Sequence, residues 1–201
     1  MDERAILVLD AGTTSTRAML FAPDGVSLGS AAQEIDQHYP APGHVEHDAR
    51  QIWHRTLACA REMVERAGGA DRIACIGIAN QRETVIAWDR ASGEPLAPAL
   101  VWQDRRTAPM CEALKAAGHE ADVQRRTGLI LDPYFSATKM RWLCDNAPAV
   151  STAALAGTLM LGTVESWLVF KLTGGAFVTD ASNASRTSLL PLDGAQFDDG
   201  L

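Results

Sequence analysis

Short apolar runs that stop at turn residues open the chain. The first run, 5–9, ends at Asp10-Ala11-Gly12, which is typical of a strand that is buried on both faces and stops at a glycine turn. A second run at 18–21 and a third at 26–28 are separated by Pro23-Asp24-Gly25. Because short turns join these runs, the pattern predicts three successive strands and a sheet that begins antiparallel.

A helical period replaces the strand pattern after Asp48. Apolar residues recur at spacings of three and four from Ile52 to Ala67, which gives this segment one apolar face. Asp48 with Gln51 resembles a capping box, and Gly68-Gly69 can end the helix. The segment is therefore predicted to be an amphipathic helix with signals at both ends.

Strand and helix patterns alternate along the rest of the chain. The run 73–78 predicts another buried strand, and the runs 85–88 and 99–102 predict a second strand pair around turn residues at 92–95. Helical patterns return at about 107–117, 136–144 and 164–172. The predicted class is α/β, with a mixed β-sheet flanked by helices.

Composition indicates a globular protein and excludes some partners. The 201 residues include 18 Lys plus Arg against 25 Asp plus Glu, a formal net charge of −7, so no nucleic acid is expected as a partner. No segment approaches the roughly 20 apolar residues that cross a bilayer. The acidic start Met1-Asp2-Glu3 also lacks the positive region of a secretion signal. We therefore expect no membrane span and a cytoplasmic location.

Neither the cysteines nor the histidines form the pattern of a metal site. The cysteines are widely spaced and contain no CxxC pair, so we expect buried, unreactive thiols. They are Cys59, Cys75, Cys111 and Cys144. Three histidines share the loop between His38 and His47, but no second cluster of ligands accompanies them. Metal binding by these residues is not expected.

The segment 10–17 is the first candidate for chemistry. Gly12 permits a sharp backbone turn, and the amides and hydroxyls that follow can point at one anion. The hydroxyl residues are Thr13, Thr14 and Ser15. Asp10 can hold a hydrated Mg²⁺ ion, and Arg17 can reach phosphate oxygens. The segment is neither a Walker loop nor a GxGxxG fingerprint, and an ordinary hairpin loop rich in Gly and Thr is the alternative.

Two further segments can bind a small hydroxylated molecule. Arg82 offers only hydrogen-bond donors and ionised Glu83 only acceptors, so together they suit hydroxyl groups, which both accept and donate. Trp102 and Tyr134 can pack on the C–H face of a small polyol, while the Tyr134 hydroxyl binds one oxygen. The alternatives are a solvated, salt-bridged loop for the first pair and ordinary core aromatics for the second.

Taken in order, these loops resemble the amino-terminal half of the FGGY family of carbohydrate kinases, which have the ATPase fold of actin and hexokinase. The matching stretches span nearly the whole chain and lie at 9–15, 42–48, 80–84, 101–107, 127–136 and 183–187. Asn-Gln-Arg-Glu-Thr at 80–84, together with Asp-Pro-Tyr-Phe-Ser at 132–136, points to the members that phosphorylate glycerol.

The resemblance implies an actin-like ATPase domain of the ribonuclease H-like type. It implies Mg²⁺-dependent transfer of the ATP γ-phosphoryl group to glycerol, which gives sn-glycerol 3-phosphate and ADP. By the motif match, Arg82, Glu83 and Tyr134 bind the glycerol hydroxyls and Trp102 lines the carbon side of the pocket. Asp10 lies near the metal and binds it through water. The residues matched to nucleotide phosphates are Gly12, Thr13, Thr14, Ser15 and Arg17.

Two residues depart from the family pattern. Ala11 stands where the family usually has Gln, and Glu165 stands where it more often has Asp. Family members carry their general-base aspartate and adenine site beyond the point that corresponds to Leu201. We therefore expect residues 1–201 to be an incomplete FGGY amino-terminal domain, without a catalytic base or the second ATPase domain, and inactive alone. The full-length protein is expected to be a homo-oligomer.

Two other functions fit the same residues. One is another FGGY kinase, which acts on a pentulose or on erythritol; testing these substrates against glycerol distinguishes it. The other is a non-catalytic relic that retains only the first kinase domain and acts as a binding protein. A stop codon directly after Leu201 would favour the relic, whereas a continuing reading frame would exclude it.

Overall fold

The computed structural model describes residues 4–194 and 196–201. The acidic start Met1-Asp2-Glu3, on which the secretion-signal expectation depends, lies outside the described residues. The described chain forms two compact units. The first contains residues 4–37 and 47–81, and the second contains residues 38–46 and the described part of 82–201.

The described residues form both strands and helices, as the predicted α/β class requires. The strands are β1 (Ala5–Ala11), β2 (Ser15–Phe21), β3 (Ser27–Glu34), β4 (Glu46–His47), β5 (Ile73–Asn80), β6 (Val85–Asp89), β7 (Ala99–Leu100) and β8 (Leu159–Thr163). The α-helices are α1 (Ala49–Ala67), α2 (Ala108–Ala116), α3 (Glu120–Thr127), α4 (Ser136–Asn146), α5 (Pro148–Ala156), α6 (Val164–Thr173) and α7 (Ala181–Ala184). A short 3-10 helix spans Ala70–Arg72.

The first unit is a mixed sheet in the order β3-β2-β1-β5. β1 and β3 both pair with β2 antiparallel, which confirms the predicted start, and β5 is parallel to β1. Leu7, Leu9 and Leu20 are almost fully buried on the face that α1 covers. The expectation that β1 is buried on both faces is wrong, because its alternate residues, such as Ile6 and Val8, are only partly buried.

Helix α1 has the predicted ends but not the predicted capping box. The Asp48 side chain accepts a hydrogen bond from the Arg50 amide at 2.9 Å, and Gly68 ends the helix in the left-handed region, with φ 93°. Gln51, however, accepts from the Asp36 amide at 2.7 Å and donates to the Asp36 carboxylate at 2.6 Å. Its side chain therefore ties α1 to the chain after β3.

Strand β5 contradicts the expectation of a buried strand. Within the described residues it pairs only with β1, at the edge of the sheet, and Ile76 is 49% exposed. Cys75 is exposed and Cys144 partly so, which corrects the prediction of buried thiols, whereas Cys59 and Cys111 are buried. Burial raises the pKa of the Cys59 and Cys111 thiols, in keeping with low reactivity.

The second unit contains β6, β7, β8 and Glu46 of β4, which belong to a sheet in the order β4-β7-β6-β8. β6 pairs antiparallel with β7 through Val85 and Leu100, which confirms the predicted strand pair. The predicted helices correspond to α2, α4 and α6, whereas α3, α5, α7, β4 and β8 were not predicted. In the described part of the chain, no helix is both long and apolar enough to cross a membrane.

Candidate functional site

The phosphate-loop candidate is a tight connection between β1 and β2. The Gly12 amide donates to the Ser15 carbonyl at 3.0 Å, and the Ile35 amide donates to the Thr14 carbonyl at 2.8 Å. A Cβ atom on Gly12 would lie 3.0 Å from the Ser15 carbonyl oxygen. Glycine therefore suits this close approach, because a side chain would need the Ser15 carbonyl to move by a few tenths of an ångström.

The polar residues around this loop remain accessible. Thr14 and Arg17 are exposed, while Thr13 and Ser15 are partly buried. Asp10 and Arg17 are directly opposite each other on β1 and β2 and therefore share one face of the sheet. A carboxylate and several hydroxyls supply the oxygen ligands that Mg²⁺ prefers, and the guanidinium supplies donors to a phosphate. The donor set thus fits a hydrated Mg²⁺ ion with a phosphate.

Gln81 braces the candidate phosphate loop and belongs to the same unit. Its amide donates to the Ala11 carbonyl at 3.0 Å, and its Nε2 donates to the Gly12 carbonyl at 3.1 Å. The same Nε2 lies 3.2 Å from Nδ1 of the buried His47. Residues from three separate sequence motifs therefore fix the backbone at the end of β1.

The boundary between the two units falls inside the Asn80–Thr84 motif, because Gln81 belongs to the first unit and Arg82 to the second. Glu83 is 4% exposed, and its Oε1 accepts a hydrogen bond from Nε of Arg186 at 2.7 Å. Arg82 is exposed. Glu83 thus pairs with a residue 103 positions away, so the alternative of a solvated, salt-bridged loop does not describe it.

Tyr134 is the centre of an aromatic group in the second unit. Its ring lies 5.5 Å from the Trp102 ring and 5.2 Å from the Phe135 ring, both in edge-to-face geometry. The Arg186 guanidinium lies 5.8 Å from the centre of the Tyr134 ring and 5.0 Å from that of Phe135. Arg186 therefore contacts both the Glu83 carboxylate and the Tyr134 ring. The Tyr134 ring in turn contacts Trp102.

A buried ion-pair network holds the segment that follows Trp102. The Asp104 side chain is fully buried; it accepts from Nε and Nη2 of Arg106, both at 2.9 Å, and from the Val45 amide at 2.6 Å. Arg106 also donates to Glu46 at 2.7 Å. Burial acts to lower the pKa of Arg106, but the hydrogen bonds to Asp104 and Glu46 outweigh it and raise the pKa.

The second unit therefore brings together three predicted site residues, Glu83, Tyr134 and Trp102. Sequence reasoning assigned no role to Arg186 or to Lys139, a fully buried residue of α4 that also contacts the Tyr134 segment. Both residues lie at positions whose sequence pattern could have pointed to a role in the site. Arg186 lies in the matched stretch 183–187, and Lys139 occupies an inward position of its helix, between Ser136 and Leu143.

The fold and these motifs define a class of protein. Residues 5–201 match the N-terminal domain of the FGGY family of carbohydrate kinases, and the chain belongs to this family. Its fold is the actin-like ATPase fold of the FGGY kinases, an α/β fold with a mixed sheet flanked by helices, as predicted.

The most informative relatives are glycerol kinases. The glycerol kinase of Rhodopirellula baltica is 53% identical over 200 residues, which cover 98% of this chain and 37% of the relative. That of Rhodospirillum rubrum is 52% identical over 198 residues, which cover 98% of this chain and 40% of the relative. The chain therefore spans about 40% of the length of the curated relatives it matches.

Solved structures of FGGY kinases resemble this chain as well. The crystal structure of Plasmodium falciparum glycerol kinase with ADP matches at a TM-score of 0.93 and 35% identity, over 98% of this chain and 40% of that one. A xylulose kinase from Rhodospirillum rubrum matches at a TM-score of 0.84, over 98% of this chain and 40% of that one, but at 24% identity. The second likeness shows the fold alone.

Proposed function

We propose that this chain is the amino-terminal, substrate- and phosphate-binding part of a glycerol kinase, which transfers the γ-phosphoryl group of ATP to glycerol. The observation that carries the proposal is the match, at about half identity along the whole chain, to proteins named glycerol kinase. The group formed by Glu83, Arg186, Tyr134 and Trp102 supports it, because it joins charged hydrogen-bonding groups to aromatic surface in one place. A three-carbon polyol needs both kinds of contact.

The roles follow from the chemistry of the side chains. Arg82 donates to glycerol hydroxyls, Glu83 accepts from them, the Tyr134 hydroxyl binds one oxygen, and Trp102 packs on the carbon side. Phosphoryl transfer depends chiefly on positioning and charge stabilisation, which binding groups can supply without a covalent step on the protein. We assign no general base to this chain and propose that the base is supplied by residues beyond Leu201.

The nucleotide side is assigned to the first unit. Residues Gly12, Thr13, Thr14, Ser15 and Arg17 bind nucleotide phosphates in this proposal. Asp10 would hold Mg²⁺ through water, and the ion would neutralise phosphate charge. The exposure of Thr14 and Arg17, next to a loop whose backbone is fixed by Gln81, supports this assignment.

The domain boundary 1–201, the cytoplasmic location and a homo-oligomeric full-length protein stay predictions. The same holds for the inactivity of the isolated chain. Formation of glycerol 3-phosphate by the purified 201-residue chain with Mg·ATP would contradict the last of these.

A pair of exposed arginines gives the direct test. In the full-length protein, Arg82→Ala is expected to lower kcat/KM for glycerol about 100-fold, because donors to the substrate hydroxyls are lost. KM for ATP should change little. Arg17→Ala is the matched control and should show the reverse pattern, with ATP affected and glycerol not. An unchanged KM for glycerol in Arg82→Ala would reject the assignment of Arg82.

The substrate itself is tested by competition. Glycerol should be phosphorylated at least about 100-fold more efficiently than xylulose, ribulose or erythritol, because a site built to bind particular hydroxyls discriminates strongly. A preference for one of the longer substrates would move the protein to another branch of the FGGY family.

A further inference from the structure

Lys139 is a buried cation that no part of the proposed reaction uses. It lies in the first half of α4 and is fully buried. Its Nζ donates to the carbonyl oxygens of Tyr134 at 2.8 Å and Phe135 at 3.1 Å, and also to that of Pro133. An ammonium group has three N–H donors, so the three consecutive carbonyls match its full capacity.

These bonds fix the backbone on both sides of Tyr134. The Tyr134 amide donates to the Asp132 carboxylate at 2.8 Å, so both peptide groups of this residue are held. Lys139 therefore holds, from within α4, the turn that precedes this helix.

Burying a cation is costly unless carboxylates or hydrogen bonds compensate for its lost hydration. Two carboxylates, Asp104 and Glu83, act on its charge from the segments after β7 and before β6 and raise its pKa. Cys111 of α2 and Asp132 of its own turn act in the same direction. Burial nevertheless lowers the pKa of Lys139 to about 8. The protein thus retains an unfavourable charge at a place where an apolar residue would take away the donor that three consecutive carbonyls share.

We infer that Lys139 is a positioning residue for the substrate site, which sets the place of the Tyr134 ring against Trp102 by clamping the backbone from Pro133 to Phe135. The inference rests on the proposed function for its consequence, namely that the clamp determines affinity for glycerol. The clamp itself does not depend on that function.

The clamp is tested first in this chain without any substrate. Lys139→Met is expected to reduce the protection of the Tyr134 and Phe135 amides from hydrogen exchange at least about tenfold, because the turn loses its shared donor. The matched control is Lys171→Met, since Lys171 also donates from a helix to a loop carbonyl, that of Gly93 at 3.3 Å. The control should leave those two amides unchanged. Unchanged protection in a folded Lys139→Met variant would overturn the inference.

The wild-type protein provides a second test that does not depend on the variant folding. Above about pH 8 the neutral amine keeps only two N–H donors, so one carbonyl loses its bond. In the full-length protein, KM for glycerol should therefore rise several-fold between about pH 7 and pH 9.5, while KM for ATP stays flat. In Lys139→Met, KM for glycerol should be about tenfold higher throughout, without the step near pH 8.

Failure of the proposed function can be told apart from failure of the Lys139 inference. If the full-length protein does not phosphorylate glycerol, the proposed function is wrong, and hydrogen exchange still decides whether the clamp exists. If it does, and KM for glycerol in the wild type stays unchanged between about pH 7 and pH 9.5, the inference is wrong although the function is right.

Discussion

The candidate phosphate loop after β1 and the proposed substrate group, formed by Glu83, Arg186, Tyr134 and Trp102, use different means to place polar atoms. In the loop, the backbone of neighbouring residues forms the structure, as in the bond from the Gly12 amide to the Ser15 carbonyl. In the substrate group, ionised side chains far apart in sequence meet, and Glu83 and Arg186 are separated by 103 positions. A loop closed by local bonds depends on shape, whereas a group closed by an ion pair to a buried carboxylate depends on each partner being present.

Removal of the partner of a buried charge should have the largest effect. Arg186→Met leaves the almost fully buried Glu83 carboxylate without this partner and removes the guanidinium from the faces of Tyr134 and Phe135. We expect kcat/KM for glycerol in the full-length protein to fall at least about 100-fold, with a loss of about 2–4 kcal/mol in the free energy of unfolding. Steady-state kinetics and urea titration measure the two quantities.

The control is Arg141→Met, which removes an exposed arginine from an ion pair with Asp145 on α4. Exposed ion pairs contribute little, so both quantities should stay near the wild-type values. If both substitutions lowered kcat/KM for glycerol and the free energy of unfolding equally, burial of the Glu83 carboxylate would not make its ion pair stronger than an exposed one.

Asp104 should come next, because it joins two chain segments from a fully buried position. Asp104→Asn removes the charge that pairs with Arg106 and weakens the bond from the Val45 amide. The expected loss is about 2–3 kcal/mol in the free energy of unfolding, with a smaller effect on glycerol kinetics through Trp102. Asp122→Asn, at an exposed ion pair on α3, is the control and should unfold at nearly the wild-type urea concentration. A loss confined to activity would contradict a structural role for Asp104.

The cost of the buried Lys139 charge should be visible as a pH dependence of stability. Its folded pKa of about 8 lies below the ordinary value of 10.5, so between these pH values the unfolded chain binds more protons than the folded one. Stability therefore rises with pH in this window. Relative to Lys139→Met, the wild type should gain roughly 1–3 kcal/mol from about pH 8 to pH 10. A constant difference would show that the ammonium is not desolvated.

The smallest effect is expected in the phosphate loop. Gly12→Ala would place a Cβ 3.0 Å from the Ser15 carbonyl, so the loop must shift, and KM for ATP should rise about fivefold without a change for glycerol. Gly77→Ala in β5 is the matched control, because its Cβ would meet only Val8, at 3.9 Å. A larger effect of Gly77→Ala on ATP use would contradict the assignment of the loop.

The difference between the regions also explains what could be predicted. The antiparallel start, α1 with its caps, and the loop at 10–17 depend on neighbours in sequence, and the pattern predicted them. The role of Arg186 depends on a partner that only the fold brings close, and periodicity cannot predict such pairs. The inward position of Lys139 on α4 was visible, but the carbonyls it binds were not.

The errors have a similar cause. Strand β5 has the apolar sequence of a buried strand, and its exposure follows from its place at the sheet edge, which composition does not reveal. Gln51 has the right spacing for a capping box, but Asp36 from another segment competes for its side chain. Helix α5 is rich in alanine, so its apolar face gives a weak periodic signal.

The exposed strand β5 sets a practical limit on handling this chain. An edge strand offers free backbone groups to any other strand, and the apolar Ile76, 49% exposed, gives little protection against such pairing. Concentrated samples should therefore scatter more light with time, and a charged residue at this site, as in Ile76→Lys, should keep them clear. Aggregation of the protein, rather than the affinity of its site, would then limit the concentrations at which it can be crystallised or titrated.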